Sequence, residues 1–254
     1  KWAGKKEYLK LEPWQSFIVC NIFGWLNAIT GKRRFRDVYC EIPRKNGKSF
    51  LAAAIGLYMF CADGEYGAEV YSGATTEKQA FGVFKPARMM VLKEEDLKNH
   101  YSISPQIKNL AIVSDGSKFE PLIGKPGDGS SPSCAIVDEY HEHASSDLVD
   151  TMSTGMGARE QPLLLTITTA GTDFGGPCRE KREDAIRVLD GTFEDETQFA
   201  LIFGIDESDE WDTEEALVKA NPNIDVSVSR EYLLAELAKA KRSATKQNAY
   251  KTKH

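Results

Sequence analysis

The fold is decided by the stretch Val38-Tyr39-Cys40-Glu41-Ile42-Pro43-Arg44-Lys45-Asn46-Gly47-Lys48-Ser49, which an apolar, alanine-rich segment follows. The residues before Pro43 are β-prone and alternate in polarity, which predicts a strand. Proline, asparagine and glycine then predict a short turn, and the segment from Lys48 onward has the pattern of a helix. A strand, a turn and a helix that opens on Gly-Lys-Ser form the arrangement of a phosphate-binding loop.

Such a loop binds an anion because its backbone N–H groups and those of the first helical turn point at one place. In this interpretation Lys48 contacts the β- and γ-phosphates of a nucleotide, and the Ser49 hydroxyl contacts Mg²⁺. The standard pattern has a glycine five residues before Gly47, whereas this sequence has Ile42. The prediction therefore depends on the flanking strand and helix.

The chain of 254 residues is long enough for one large α/β domain, or for one domain with an appendage. Its content of 41% apolar and 28% charged residues is ordinary for a globular protein in water. No apolar run reaches the roughly 20 residues of a membrane span, and residues 1–10 lack the core of a signal peptide, so no membrane partner is expected. Because the first residue is Lys1 rather than Met, we expect the chain to begin within a longer one. The five cysteines include no Cys-x-x-Cys pair, which favours reduced thiols and a cytoplasmic setting.

Basic residues form two clusters, at Lys32-Arg33-Arg34-Phe35-Arg36 and between Lys239 and Lys253. The net charge of −6 is against a protein that is coated in basic surface. We expect the two clusters to be solvated faces, with modest local contact to DNA as the alternative.

Strand and helix patterns alternate along most of the chain, which predicts an α/β fold with a doubly wound, mostly parallel sheet. Residues 103–123 predict a hairpin with an Asp-Gly turn, and 124–133 predict a flexible loop. Besides the first strand, the predicted core strands are 68–74, 134–137, 163–171 and 199–205, and the predicted helices are 8–29, 75–92, 146–156 and 179–189.

The pattern changes after residue 205. Two helical patterns, 211–220 and 229–241, flank Asn221-Pro222-Asn223 and contain too many polar residues for a core. We therefore predict an ATPase domain at 1–205 and a helical linker subdomain at 206–254.

Two acids, Asp138 and Glu139, follow four consecutive apolar residues. In open α/β sheets ligands bind beyond the carboxyl ends of the strands, so both acids are placed to reach a nucleotide. Asp138 suits Mg²⁺ together with Ser49, and Glu139 suits the orientation and deprotonation of an attacking water. We predict ATP hydrolysis, with ATP and Mg²⁺ as the cofactors.

Two nearby pairs admit two interpretations each. Thr168 and Thr169 end the next strand, where their hydroxyls either sense the γ-phosphate or only cap the following turn. His141 and His143 form a His-x-His pair that either binds a metal or, as we expect, lies in a solvated loop.

Other residues are candidates for contacts with the nucleotide. Gln15, beside Trp14, offers donors and an acceptor that match an adenine edge, although these residues alone favour a surface glutamine beside a core tryptophan. The developing charge on the γ-phosphate usually requires an arginine. Arg44 is the candidate within the chain, and Arg159 and Arg88 are candidates that would act on a neighbouring subunit.

Together these motifs resemble the ATPase domain of a tailed-bacteriophage large terminase subunit. The resemblance covers nearly the whole chain. It rests on Trp14-Gln15, on the loop from Pro43 to Ser49, on Val137-Asp138-Glu139 and on Thr166-Ile167-Thr168-Thr169-Ala170-Gly171, and also on residues 71–80 and Asn221-Pro222-Asn223.

The resemblance implies a P-loop NTPase of the ASCE type, which acts as a motor that packages double-stranded DNA into a procapsid. It implies a ring of subunits on the portal, a small terminase subunit as a partner, and the cytoplasm of an infected bacterial host as the location. It also implies that Gln15 contacts adenine, the loop 43–49 binds the phosphates, Asp138 holds the metal and Glu139 is the catalytic base. Thr168-Thr169 fall in the family's coupling motif.

The family also carries a C-terminal nuclease domain with clustered acids. This chain ends at His254, before such a domain would fit, so nuclease activity is not expected of it.

Two rival interpretations belong to other functional classes. Asp138-Glu139-Tyr140-His141 also fits the Asp-Glu-x-His box of a helicase, which needs a second recombinase-like domain for which the chain leaves little room. A scaffold with a degenerate nucleotide site is the other, and the joint presence of Lys48, Ser49, Asp138 and Glu139 is against it.

Overall fold

The computed structural model describes Tyr8 and residues 10–123, 129–171 and 175–253. The first five residues of the loop predicted at 124–133 lie outside this described part. The helices are α1 Pro13–Gly24, α2 Lys48–Cys61, α3 Glu77–Lys93, α4 Glu95–His100, α5 Asp147–Gly155, α6 Pro177–Leu189, α7 Glu214–Ala220, α8 Arg230–Ala240 and α9 Ala244–Lys253. The strands are β1 Asp37–Glu41, β2 Glu69–Ala74, β3 Ile103–Pro105, β4 Leu110–Ile112, β5 Ser117–Ile123, β6 Cys134–Asp138, β7 Leu163–Thr168 and β8 Gln198–Ile202.

The eight strands form one sheet in the order β3-β4-β5-β2-β6-β7-β1-β8. From β5 to β8 every neighbouring pair is parallel, whereas β3, β4 and β5 pair antiparallel at one edge. The predicted parallel α/β sheet is therefore confirmed. The predicted hairpin is also present, because β4 and β5 meet at a turn in which Gly116 has a φ of 78°.

The register of the central strands brings the predicted site residues to one edge of the sheet. Glu41, at the end of β1, is the register partner of Thr168, at the end of β7. Asp138, at the end of β6, is in turn the partner of Ile167 in β7. Since the strands are parallel, the phosphate-binding loop after β1 and the two acids at the end of β6 lie at the same edge.

Helices cover both faces of the sheet, and the largest core cluster lies beneath α2 and α3. The close approach of α2 to the sheet requires Gly56, because a Cβ there would lie 2.8 Å from Cδ1 of Ile136. A second cluster lies on the opposite face beneath α5 and α6. This packing holds α2, and with it the phosphate-binding loop, firmly against β6.

The C-terminal helices α7, α8 and α9 enclose a small core of their own. The expectation that this region contains too many polar residues for a core was wrong, because a few widely spaced apolar side chains converge once the helices fold together. The third helix, α9, was not predicted. The core residues are Leu217, Val228, Leu233, Leu237, Ala240 and Tyr250.

Within the described residues, none of the helices combines the length and the hydropathy that crossing a bilayer requires.

Candidate nucleotide-binding site

The loop between β1 and α2 has the backbone of an anion-binding turn. Lys45 and Gly47 both have left-handed conformations, with φ values of 69° and 83°, and α2 begins directly after Gly47. Ile42, which stands where the standard pattern has glycine, is fully buried, and its N–H donates to the carbonyl of Thr168 at 2.9 Å. The position therefore continues the β1–β7 ladder, which explains why a large apolar residue is accepted there.

Lys48 is the first residue of α2, and little of it is accessible to solvent. Its side chain is buried, and Nζ is 3.5 Å from the carbonyl oxygen of Pro43, which is a weak contact. Burial lowers the pKa of Lys48, while the nearby charges of Glu139 and Asp138 act in the opposite direction. A buried ammonium with only a weak partner of this kind is well suited to bind an incoming phosphate anion.

Ser49 and Asp138 provide two converging oxygen atoms. The hydroxyl of Ser49 donates to Oδ2 of Asp138 at 3.1 Å, and Asp138 is buried. Burial, and then the charge of Glu139, raise the pKa of the Asp138 carboxyl to about 6. Oxygen ligands of this kind fit Mg²⁺, which is usually held by one or two protein groups together with phosphate oxygens and water. Consistent with so sparse a site, the described residues contain no group of three or more His, Cys, Asp or Glu side chains that could hold a metal ion.

The raised pKa of Asp138 predicts a pH-dependent gain in stability for Asp138→Asn in the absence of nucleotide and Mg²⁺. Because the folded pKa of about 6 lies above the ordinary value of 3.8, the folded state disfavours the charged carboxylate. The free-energy cost of the charged carboxylate in the folded protein appears as the pH passes the ordinary pKa. It grows as the pH rises and reaches its full size above the folded pKa. At pH 8 the substitution is expected to raise the free energy of unfolding by about 3 kcal/mol, and by about half as much at pH 5. Urea denaturation at both pH values measures the gain. The exposed Asp96→Asn serves as the control, and an equal gain at both pH values would contradict the prediction.

Glu139 follows Asp138 in a left-handed conformation, with φ 51° and ψ 47°. Its N–H donates to the carbonyl of Ile167 at 3.0 Å, so that the residue is held against the end of β7. Its side chain is 25% exposed and faces a cleft of about 880 Å³. The cleft is lined by Arg44, Lys45, Gly47, Lys48, Ser49, Phe50, Gln79, Gly82, Lys85, Pro86, Met89, Lys93, Glu139, Glu142 and Ser227.

Comparison with known proteins identifies the family of this chain. Residues 13–187 match the family described as "Terminase large subunit, ATPase domain". The chain belongs to this family. Protein YmfN of Escherichia coli (strain K12) is 53% identical over 130 residues, which are 51% of this chain and 29% of YmfN. The terminase large subunit of Enterobacteria phage HK97 is 32% identical over 155 residues, which are 59% of this chain and 31% of that protein.

Among solved structures, the HK97 large terminase has a TM-score of 0.85 at 24% sequence identity, over 99% of this chain and 51% of that chain. The chain thus spans about half of that terminase, and the aligned segments span less than a third of either curated relative. The large terminase of a thermophilic bacteriophage has a TM-score of 0.50 at 15% identity, over 79% of this chain and 48% of its own. The predicted family, the P-loop NTPase fold and the assignment as an ATPase domain are confirmed. In the sheet of this terminase ATPase domain, β7 lies between the loop-bearing β1 and the acidic strand β6.

The three candidate arginines have different surroundings. Arg44 lines the cleft, and its side chain is 38% exposed. Its NH2 is 3.8 Å from Oε1 of Glu142, a contact loose enough for the guanidinium to reach a phosphate in the cleft. Arg159 donates to the carbonyl of Ser131 at 2.8 Å and pairs with Glu65 at 3.0 Å, with its side chain only 12% exposed. Its guanidinium is thus held within its own subunit, and its role on a neighbour stays a prediction. Arg88 donates to the carbonyl of Gln106 at 2.5 Å and remains partly exposed.

Thr168 and Thr169 are buried at the end of β7, where His141 packs against both hydroxyls. The expectation of a solvated loop around His141 and His143 was wrong. The His141 side chain is only 11% exposed and His143 is buried, because residues 140–142 form a short 3₁₀ turn against β7. Neither histidine belongs to a metal-binding group of described residues.

Gln15 is buried at the start of α1, so the alternative of a surface glutamine was wrong. Its Oε1 accepts from the N–H of Glu12 at 3.0 Å, and within the described residues its Nε2 has no hydrogen-bond partner. A buried amide nitrogen that lacks a partner fits the predicted contact with a base edge. Trp14 donates from Nε1 to Oδ1 of Asn223 at 2.9 Å and meets Phe203 edge-on.

Three asparagines join the phosphate-binding loop of the terminase domain to its C-terminal helices. Asn46 was predicted to contact the nucleotide, but its buried side chain is turned away from the cleft. Its Nδ2 donates to Oδ1 of Asn221 at 2.9 Å, and its Oδ1 accepts from the N–H of Asn223 at 2.9 Å. Asn223 Nδ2 also donates to the carbonyl of Asn46 at 3.1 Å. The sequence pattern did not predict this role of Asn221 and Asn223, although asparagine stands on both sides of Pro222.

These contacts predict that Asn223→Ala weakens both stability and nucleotide binding. The substitution leaves the buried carbonyl of Asn46 and the half-buried indole N–H of Trp14 without these partners, which is expected to cost about 2–4 kcal/mol of unfolding free energy. Because the loop loses its support, the dissociation constant for a fluorescent ATP analogue is expected to rise about 10-fold. The exposed Asn248→Ala on α9 is the control. Unchanged affinity in a folded Asn223→Ala protein would show that the contacts do not position the loop.

The first basic cluster is largely neutralised within the chain. Arg33 is buried and forms a two-pronged ion pair with Asp63 at 2.7 and 2.6 Å. Lys32 pairs with Glu160, and Arg34 lies 3.1 Å from Glu196. The expectation that this cluster is a solvated face was therefore wrong for Arg33, whose charge is not available to DNA phosphates.

Proposed function

We propose that this chain is the ATP-hydrolysing motor domain of a viral terminase large subunit, and that it drives double-stranded DNA into a procapsid. One observation carries the proposal. Lys48, Ser49, Asp138 and Glu139 converge on one edge of the sheet, with Ser49 and Asp138 in contact at 3.1 Å and Glu139 facing the same cleft.

Each residue of the site has its own proposed role in ATP hydrolysis. The loop 43–49 binds the phosphates through its backbone N–H groups, and Lys48 places its charge against the β- and γ-phosphates. Ser49 and Asp138 would hold Mg²⁺, which neutralises charge on the phosphate oxygens when it is bound. Glu139 accepts a proton from the attacking water, and Arg44 stabilises the charge that develops on the γ-phosphate. Trp14, Gln15, Thr168 and Thr169 complete the proposed nucleotide contacts.

Residues 206–254 contact the phosphate-binding loop, which supports a role for them in coupling ATP hydrolysis to movement of DNA. Residues 1–205 form the proposed ATPase domain, and 206–254 form the helical linker subdomain that reaches the phosphate-binding loop through Asn221 and Asn223. The partners in this proposal are double-stranded DNA, the portal and procapsid, and the small terminase subunit, with the motor assembled as a homo-oligomeric ring in the cytoplasm of the bacterial host.

DNA cleavage is not part of the proposed function of this chain. Two-metal nucleases need carboxylates clustered around cations about 4 Å apart. Asp138 and Glu139 are assigned to ATP, and the described residues contain no other cluster of this kind. Incubation of plasmid DNA with the protein in Mg²⁺ or Mn²⁺ tests this: nicking that survives Lys48→Ala would reveal a separate nuclease site.

The decisive experiment measures ATP turnover with and without double-stranded DNA, followed by packaging with a matching procapsid. We expect Mg²⁺-dependent turnover and ATP-driven packaging, both of which Lys48→Ala removes. Turnover accompanied by unwinding of a forked duplex would favour a helicase instead. Absence of nucleotide binding would favour a scaffold with a degenerate site.

A further inference from the structure

His141 lies between the acidic loop and the end of β7. Its backbone N–H donates to Oγ1 of Thr168 at 3.1 Å, and its ring Nδ1 is 3.0 Å from the same oxygen. Oγ1 of Thr169 is 3.3 Å from Nδ1 and 3.4 Å from Nε2. Gly171 passes so close that a Cβ there would lie 2.9 Å from Cβ of His141. The ring is therefore held by the segment that leaves β7.

The hydrogen bonds of Thr168 indicate which ring nitrogen carries a proton. The hydroxyl of Thr168 donates its single proton to the carbonyl of Thr169 at 3.0 Å. With the hydroxyl assigned as this donor, Oγ1 of Thr168 is an acceptor toward His141, and the matching tautomer of His141 carries its proton on Nδ1. Nδ1 then carries one N–H, and the oxygens of Thr168, Thr169 and Glu139 that lie within 3.4 Å of it are alternative acceptors for that proton.

The same nitrogen faces the proposed general base. Nδ1 of His141 is 3.4 Å from Oε2 of Glu139. That oxygen is buried and has no hydrogen-bond partner in the part of the chain that the structure describes. Contacts of catalytic groups are often long before substrate binds and shorten in the complex. The left-handed backbone of Glu139 is strained for a residue with a side chain and persists only where its surroundings hold it. The carbonyl of Ile167 in β7 provides that support by accepting the N–H of Glu139 at 3.0 Å.

We propose that His141 is a positioning residue that links the carboxylate of Glu139 to Thr168 and Thr169, so that the orientation of the general base follows the position of the end of β7. This inference rests on the proposed role of Glu139 in hydrolysis. It gives the two threonines a physical route to the reaction, through the imidazole ring.

The first test compares ATP turnover and nucleotide affinity in His141→Ala. We expect kcat to fall about 10- to 100-fold, as for a misplacement of a catalytic group by about 1 Å, while the dissociation constant of a fluorescent ATP analogue changes by less than about 2-fold. His141→Asn, whose amide nitrogen can donate near the position of Nδ1, is expected to recover part of the rate. His100→Ala, on the exposed helix α4, is the control for loss of a histidine. Full turnover in His141→Ala, or a rate in His141→Asn no better than in His141→Ala, would overturn the proposal.

The second test is a double-mutant cycle with Thr169→Val, which removes the hydroxyl at nearly constant volume. If the histidine acts through the threonines, the double variant should lose little more rate than the slower single variant. If the roles are independent, the fold-loss of the double variant should equal the product of the two single fold-losses. If His141→Ala does not fold, the double-mutant cycle can still be measured with His141→Asn in its place. Multiplicative losses would overturn the proposal.

A third arm separates this inference from the proposed function. In a Glu139→Gln background, His141→Ala should have no further effect on the residual rate, because the positioned group is already inactive. If Glu139→Gln alone retained near-normal turnover, the proposed role of Glu139 would fail. If Glu139→Gln is inactive and His141→Ala is fully active, only the positioning role fails.

Discussion

Glu139→Gln is expected to lower the rate of ATP hydrolysis by about 100-fold or more while ATP still binds, because the amide is nearly isosteric but cannot accept the proton of the attacking water. The structure strengthens this expectation, since Glu139 faces the cleft and its backbone is held against β7. Gln retains the side-chain length and the option of a contact with His141, so the loss should lie in kcat rather than in affinity.

Single-turnover hydrolysis and titration with a fluorescent ATP analogue measure the two steps separately. Glu142→Gln is the matched comparison, because it removes a carboxylate from the same cleft at a side chain that is 45% exposed. We expect a much smaller loss in that variant. Near-normal turnover in Glu139→Gln would refute the role of general base.

Lys48→Ala is expected to abolish productive nucleotide binding, because the charge of the β- and γ-phosphates loses its principal cation. Loss of charged hydrogen bonds worth about 3 kcal/mol corresponds to an affinity at least about 100-fold weaker. The lowered pKa of the buried Lys48 shows that its charge is costly without an anion. The nucleotide-free variant is therefore expected to be as stable as the parent protein or more so.

This combination separates a functional defect from misfolding. Thermal unfolding without nucleotide should be unchanged or shifted upward, whereas the upward shift that ATP and Mg²⁺ cause in the parent protein should disappear. Lys78→Ala, at an exposed position of α3, should keep both behaviours. Unchanged affinity and turnover in Lys48→Ala would exclude the loop from nucleotide binding.

The elements that could be predicted from sequence are those whose determinants are neighbours along the chain. The strand, turn and helix around residues 38–57 follow from alternation, from Gly47 and from an apolar run, so both the loop and the position of Lys48 at the start of α2 could be predicted. The apolar run before Asp138 likewise predicted a buried parallel strand with acids at its end. Even the helix through Pro86 was predicted, and the structure confirms it.

Burial and contacts between distant segments were decided only by the tertiary structure. Asn46 lies 177 residues from Asn223, and no local pattern indicates that one amide would satisfy the other. From sequence, Arg33 is predicted to be part of a basic surface, but the fold places Asp63 beside it. His141 reads as solvated until the register of β6 and β7 places it on Thr168. In each case the side chain is polar, and polarity alone predicts exposure. Whether a polar group is instead buried depends on a partner whose position the fold sets, because burial is tolerated only where hydrogen bonds replace those to water.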